Sequence, residues 1–349
     1  NSAASNGSRG NSPLSRTGRK SGAPVEIRPA RIRRIAVTGG PQSAAASSRA
    51  GPPMQTDDPM DYRIADLRIR IPGECLPGPL HPAFSPFAEP ENGTPALLLH
   101  TARQIADVPE ECCLDRFPCI DTTTECRFIR SSGGIQVELH GPQGDSVRFR
   151  LPDGGSEACT DCHPDRQPSQ LRFGLWLLCN AAGLGHGVVS LHAAAISHRG
   201  QGVLFLGESG TGKSTHARLW CRHMAATELL NDDSPFIRLQ PAGAPLVYGS
   251  PWSGKSPCYR PLRLPIAAIV RLEQGPRNII RPLRPLEAAG ALLPSAPPSF
   301  ARDERLLATL CRILSQLIAQ VPVYHLACRP DAEAARLACR TIFGSLPDK

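Results

Sequence analysis

An α/β fold in two parts is predicted, a small β-rich domain followed by a larger domain that alternates strands and helices. Three observations predict it. Residues 59–152 carry short, partly alternating apolar runs separated by turn residues, the period of half-buried strands. Residues 188–349 alternate apolar strand-like runs with stretches of helical spacing. The most apolar of those runs, Val203-Leu204-Phe205-Leu206, passes straight into Gly207-Glu208-Ser209-Gly210-Thr211-Gly212-Lys213-Ser214, a GxxxxGK[ST] phosphate loop.

In chain order, residues 1–58 are rich in Ser, Gly, Ala, Pro and Arg and lack apolar periodicity, so they are predicted to be a disordered basic tail. β-like runs follow at Ile64–Ile71, Ala96–His100, Cys126–Arg130, Ile135–His140 and Val147–Leu151. Ser131-Ser132-Gly133-Gly134 and Gly141–Asp145 are turns between them. Residues 153–187 read as a polar linker, Asp153–Pro168, and a helix near Ser169–Ala182 with Leu171, Leu175, Leu178 and Ala182 at helical spacing. Val188–Ser197 and Val203–Leu206 are predicted strands, and a helix over Lys213–Met224 follows the glycine loop. Strand-like segments recur at Glu228–Leu230, Pro235–Leu239, Pro245–Tyr248 and Ile266–Glu273. Helices at Pro285–Leu293 and Ala301–Ala319, a strand at Val321–Ala327 and a helix at Asp331–Phe343 capped by Gly344 complete the pattern.

Composition bounds the function classes. The 349 residues suffice for roughly two domains of about 150 residues each. The net charge of +8 is concentrated in residues 1–34, with eight Lys or Arg against the single acid Glu26. The rest is nearly neutral, so no specific nucleic-acid partner is expected. No run approaches the roughly eighteen apolar residues of a membrane span, and the N-terminal stretch has no apolar signal region; the cytoplasm is the expected compartment. The odd count of thirteen cysteines excludes complete disulfide pairing and points to buried thiols.

In the phosphate loop, glycines let successive N–H groups turn toward a phosphate, and the following helix adds its N-terminal dipole. Lys213 would bridge the β- and γ-phosphates and Ser214 would hold Mg²⁺. Gly249-Ser250-Pro251-Trp252-Ser253-Gly254-Lys255-Ser256 also fits the pattern, but Pro257, Pro261 and Pro265 forbid a following helix. It is not expected to be a phosphate loop. Asp232 and Asp233 lie just past an apolar strand about twenty residues after Lys213, where a metal-binding acid and a residue acting on the nucleophile could sit; a solvated turn is the plain alternative. His192 falls in the apolar run before the phosphate-loop strand, where a place near the phosphates is open to it but the pattern alone favours a structural histidine.

Leu191-His192, the loop Gly207–Thr215 and Asn231-Asp232-Asp233 together resemble the catalytic domain of HPr kinase/phosphorylase, and more distantly the nucleotide site of phosphoenolpyruvate carboxykinase, over residues 188–345. The resemblance implies a P-loop catalytic domain with a mixed sheet after the small β-rich domain, ATP and Mg²⁺ as cofactors, and a serine hydroxyl of a protein or peptide as acceptor. It implies Asp232 as the carboxylate that takes the acceptor's proton, Asp233 as its metal-associated neighbour with Ser214, and His192 near the phosphates. The loop residues Gly207, Glu208, Ser209, Gly210, Thr211, Gly212, Lys213, Ser214 and Thr215 would hold the nucleotide. Two more residues separate loop and acidic pair than in the HPr enzyme, and the glycine-rich signature of its reverse reaction is absent. Tyr248–Ser256 instead resembles a segment of divergent HPr-kinase-like proteins found beside peptide-modification genes, which implies that Lys255 faces the phosphates or the acceptor. Oligomeric state is left open. A small-molecule alcohol kinase and a nucleotide-binding regulatory module are the alternatives; Asp232 favours a kinase, because a binding module needs no base.

Cys159-Thr160-Asp161-Cys162-His163 spells the CxxCH of c-type haem attachment, which normally occurs outside the cytoplasm. A zinc site would need thiolates from Cys112, Cys113, Cys119 or Cys126. With no second CxxC, unpaired thiols in a linker are expected.

Overall fold

The computed structural model describes residues 60–344 except Pro77, Glu91, Asn92, Arg103, Ile120, Asp121 and Lys255, and does not describe the side chain of Glu74. The tail expected over residues 1–58 lies outside the described residues.

The first sheet contains β1 (Met60–Ile64), β2 (Leu67–Ile71), β3 (Ala88–Glu89), β4 (Leu97–Thr101), β5 (Cys113–Cys119), β6 (Thr124–Ser131), β7 (Gly134–His140), β8 (Ser146–Pro152) and β9 (Glu157–Thr160). Their order is β3-β1-β2-β4-β9-β8-β7-β6-β5. A short helix, α1 (His81–Phe84), precedes β3. The run Ile64–Ile71 is not one strand but a hairpin, because Ala65 and Asp66 both take positive φ (52° and 58°), the turn that matches strand twist. Neither is Gly or Asn, so the usual turn signal is missing. β5 contains Pro118, which is tolerated because β5 is an edge strand with an unpaired side. β9 falls in the segment expected to be a linker; it pairs with both β4 and β8 and belongs to the sheet.

Helix α2 (Pro168–Leu184) joins the halves. It is buried nearly all round, touching β4 and β8 on one side and the second sheet and α5 (Glu304–Gln320) on the other. Gly174 is required here, since a Cβ would stand 2.3 Å from the Phe149 ring. The buried Asn180 is satisfied locally: its amide donates to the Trp176 carbonyl (2.8 Å) and its Oδ1 accepts from the Ser190 N–H (2.7 Å).

The second sheet comprises β10 (Val188–Ser190), β11 (Ala193–His198), β12 (Gln201–Leu206), β13 (Thr227–Asn231), β14 (Phe236–Arg238), β15 (Leu246–Tyr248), β16 (Arg263–Gln274), β17 (Ile279–Pro282) and β18 (Val323–Cys328). The order is β10-β14-β15-β16-β12-β11-β13, with β18 also pairing β16 and β17. β12, β16 and β18 are parallel, while β11 and β17 run against their neighbours. The described chain is therefore α/β with two mixed sheets. The expected single run Val188–Ser197 is broken at Leu191-His192 into β10 and β11, which belong to different ends of the sheet.

Alternation along β12 separates two cores. Val203 and Phe205 pack toward Trp220 of α3 (Lys213–His223) and Ala334, Ala335 and Ala338 of α6 (Ala332–Phe343). Leu204 and Leu206 face a larger core that also takes α2, α4 (Pro285–Leu292), α5 and the first sheet. Helix α5 buries Leu310, Ile313, Leu314 and Leu317, one face at helical spacing. It starts later than Ala301 because Asp303 is its N-cap, accepting from the Leu306 N–H at 2.9 Å. Asp331 caps α6 in the same way through Ala334. Across the halves, Tyr248 and Arg263 both donate to Asp66 in the β1–β2 turn, at 2.5 and 2.9 Å.

Candidate functional site

Register brings the sequence-predicted residues to one edge of the second sheet. Leu206, the last residue of β12, pairs with Ala193, so His192 stands beside Gly207. The Ala193 N–H donates to the Asp233 carbonyl at 3.0 Å, which brings the end of β13 alongside. Leu206 also pairs with Arg271, near the C-terminal end of β16. The edge is thus the one formed by the carboxyl ends of the parallel strands, where open α/β sheets bind ligands.

The glycine loop joins β12 directly to α3. Gly207, Gly210 and Gly212 have φ of 158°, 87° and 101°. At Gly210 and Gly212 a Cβ would meet open space, so glycine serves the backbone path there and leaves the surface bare for a ligand. At Gly207 a Cβ would stand 2.4 Å from Thr211 Oγ1. The Thr211 hydroxyl closes the loop by donating to the Glu208 carbonyl (2.8 Å). Lys213 is buried at the first turn of α3, and its Nζ donates to the carbonyls of Gly207 (2.9 Å) and Glu208 (3.3 Å). Ser214 is half-buried and Thr215 exposed on the same turn.

The adjacent aspartates diverge. Asp232 Oδ1 accepts from the Ser253 hydroxyl and the Gly254 N–H, both at 2.7 Å, and its Oδ2 accepts from the Ser256 N–H at 3.1 Å. It therefore holds Ser253, Gly254 and Ser256 in place. Asp233 faces the other way: its Oδ1 lies 3.7 Å from His192 Nδ1, and its charge acts on Lys213. Asn231 sets both orientations. Its Oδ1 accepts from the N–H groups of Asp233 (2.9 Å) and Ser234 (2.8 Å), and its amide donates to Ser250 Oγ (3.2 Å) and the Trp252 carbonyl (3.0 Å).

Burial pushes the Lys213 ammonium down to about 8; Asp233 opposes that shift and Arg271 adds to it. Burial, reinforced by Lys213, lowers His192 as well and keeps its imidazole neutral near pH 7. His216, one turn into α3, is also held neutral by burial, and its Nε2 accepts from the Trp220 indole at 3.1 Å.

The second GxxxxGK[ST] match forms no strand–loop–helix. Residues 249–254 and 256–262 are irregular, and Trp252 anchors them by donating to the Arg172 carbonyl (2.9 Å) and packing against Phe84 and Phe236. Lys255 lies outside the described residues. Cys159 stands on β9, and the buried Cys162 thiol donates to the Gln167 carbonyl at 3.6 Å. Among the described residues no three His, Cys, Asp or Glu gather as a metal-holding group.

Two residues of the edge carry no motif in the sequence. Gln274 donates to the Gly210 carbonyl at 3.1 Å, tying the loop to β16, and Arg271 lies 3.8 Å from Glu208. The one signal for them is a charged residue interrupting the apolar run Ile266–Leu272 near its carboxyl end. Cavities of about 480 and 560 Å³ flank the loop on either side of Gln274.

No protein-family model matches the chain, and no curated protein matches it. No helix among the described residues is long and apolar enough to cross a membrane.

Proposed function

We propose that the chain is an ATP- and Mg²⁺-dependent kinase of the HPr-kinase-like P-loop type, transferring the γ-phosphoryl group to a serine hydroxyl of a protein or peptide. The observation that supports it best is the meeting of Lys213, Asp233 and His192 at a bare glycine loop on the carboxyl edge of parallel strands. The open space over Gly210 and Gly212 fits a phosphate chain. ATP with Mg²⁺ supplies the transferable group and neutralises part of its charge when bound. Lys213 and the loop amides would hold the phosphates, and Ser214 would hold the metal.

The base assignment suggested by resemblance shifts by one residue. Asp232 is engaged by donors from Ser253, Gly254 and Ser256, so its part would be to position those residues on the acceptor side. Asp233 is the member of the pair that faces the loop, and the hydroxyl proton would pass to its carboxylate.

Incubation of the full chain with γ-labelled ATP, Mg²⁺ and a bacterial lysate tests the proposal. Label is expected on a defined protein or peptide, lost on chelation and reduced at least about 10²-fold by Asp233→Asn. Nucleotide binding without transfer to any protein, peptide or small molecule would leave a binding module in place of a kinase. Transfer to a small alcohol alone would replace the acceptor class.

Lys213 also sets a pH dependence. Its ammonium is protonated below about pH 8 and neutral above, so its attraction for phosphate is fully present at pH 7 and is lost as pH rises through 8. ATP affinity measured by calorimetry from pH 6.5 to 9.5 should fall above pH 8, and the inflection should be absent in Lys213→Arg.

A further inference from the structure

Arg271 occupies the carboxyl edge, where among the described residues its ion-pair contact is with Glu208. Its register with Leu206 puts it level with the residue that opens the glycine loop. Its guanidinium is 3.8 Å from Glu208 Oε1, too far for a hydrogen bond, and the Glu208 side chain is 73 % exposed. Such a pair holds weakly. The Arg271 side chain is 23 % exposed and lines the 480 Å³ cavity beside Glu208, Ser209, Gly210 and Gln274. Lys213 Nζ rests on the carbonyls of Gly207 and Glu208, so two cations gather at the first two residues of the loop.

We propose that Arg271 is a second phosphate-binding cation of this site, contacting the terminal phosphate of a nucleoside triphosphate, and that Glu208 is the displaceable anion that occupies it beforehand. The inference rests on the nucleotide-binding reading above. A phosphate chain running from the amides at the start of α3 toward the loop entry would place its terminal group between Lys213 and Arg271. There a guanidinium offers two parallel N–H donors to phosphate oxygens, which an ammonium cannot. Glu208, exposed and loosely held, swings to solvent at little cost. Arg271 would therefore discriminate triphosphate from diphosphate, whereas Lys213 would serve both.

Titration calorimetry of the full chain with ATP, ADP and AMP in Mg²⁺ tests this, using wild type, Arg271→Gln, Arg271→Lys and Glu208→Gln, each checked for an unchanged thermal midpoint. Arg271→Gln is expected to weaken ATP about 10- to 100-fold, the range for hydrogen bonds to charged groups, and ADP less than about threefold. Arg271→Lys should restore part of the loss, and Glu208→Gln should tighten ATP. An unchanged ATP-to-ADP affinity ratio in Arg271→Gln, with wild type binding both, would overturn the role of Arg271 alone. Failure of wild type to bind any of the three would overturn the nucleotide reading and this inference with it. Should Arg271→Gln not fold, the exposed Glu208→Gln decides: unchanged ATP affinity there removes the displaceable anion.

Discussion

Lys213→Met is expected to abolish the thermal stabilisation of the chain by MgATP while leaving the ligand-free protein about as stable as wild type. The two halves of that expectation have separate causes. Lys213 is buried where its ammonium is disfavoured, and a shift from 10.5 to about 8 corresponds to a penalty of about 3 kcal/mol on the charged form. That penalty is present below pH 8 and vanishes above the unfolded value, so at neutral pH methionine removes it. The loss of two charged hydrogen bonds to Gly207 and Glu208 offsets the gain. Ligand binding has no such compensation, because the Nζ is the buried cation at the loop entry. A binding loss of at least about 10²-fold should erase the ligand-induced rise in midpoint, which scales with the logarithm of ligand over Kd. Scanning fluorimetry with and without MgATP reads both halves at once. A variant that still gains several degrees from MgATP would remove Lys213 from the site.

Asn231→Ala should be among the most destabilising single substitutions in the chain, by about 3–5 kcal/mol. Asn231 is fully buried, and both ends of its amide are in use. Truncation leaves the Asp233 and Ser234 N–H groups without their acceptor and takes one of two donors from the Trp252 carbonyl, the other being the Ser250 hydroxyl at 3.1 Å, in a region water does not reach. The same network joins the end of β13 to the turn carrying Trp252, so its loss loosens Asp232 and Asp233 together. The expected result is a large drop in denaturant midpoint, with the proposed transfer activity lost even where the chain remains folded. Asn231→Asp should be milder in part, since it keeps the acceptor for Asp233 and Ser234 while losing the donors. A midpoint for Asn231→Ala within error of wild type would sink the account.

Much of the second sheet is legible in the sequence, for local reasons. Lys213–Met224 reads as a helix because Lys213, His216, Ala217 and Trp220 fall on one face, and α3 ends one residue earlier, at His223. The helix over residues 285–293 and the strand ending at Ala327 lie within two residues of their expected limits, because Pro285 opens the one and apolar pattern marks the other. Illegible features depend on partners distant in sequence. β9 is four residues long and polar at its start, and becomes a strand only because β4 and β8 offer it ladders on both sides. The β1–β2 turn lacks glycine; Asp66 instead receives Tyr248 and Arg263 from the other half of the chain. His192 can be placed near the loop by order along the chain, but its proximity to Asp233 requires the break between β10 and β11.

By itself the sequence determined the strand, glycine loop and helix that carry Lys213, because backbone conformation over ten consecutive residues is governed by glycine freedom, proline exclusion and apolar spacing. It likewise excluded Gly249–Ser256 as a second such loop through Pro257. Only the tertiary structure decided which of two neighbouring aspartates faces that loop. Consecutive side chains at a strand end can point either way, and the choice fell to donors that come from Ser253, Gly254 and Ser256 more than twenty residues later. Only it brought Arg271 to Glu208, because parallel strands β12 and β16 are joined by a long connection whose register is set by packing rather than by any nearby residue.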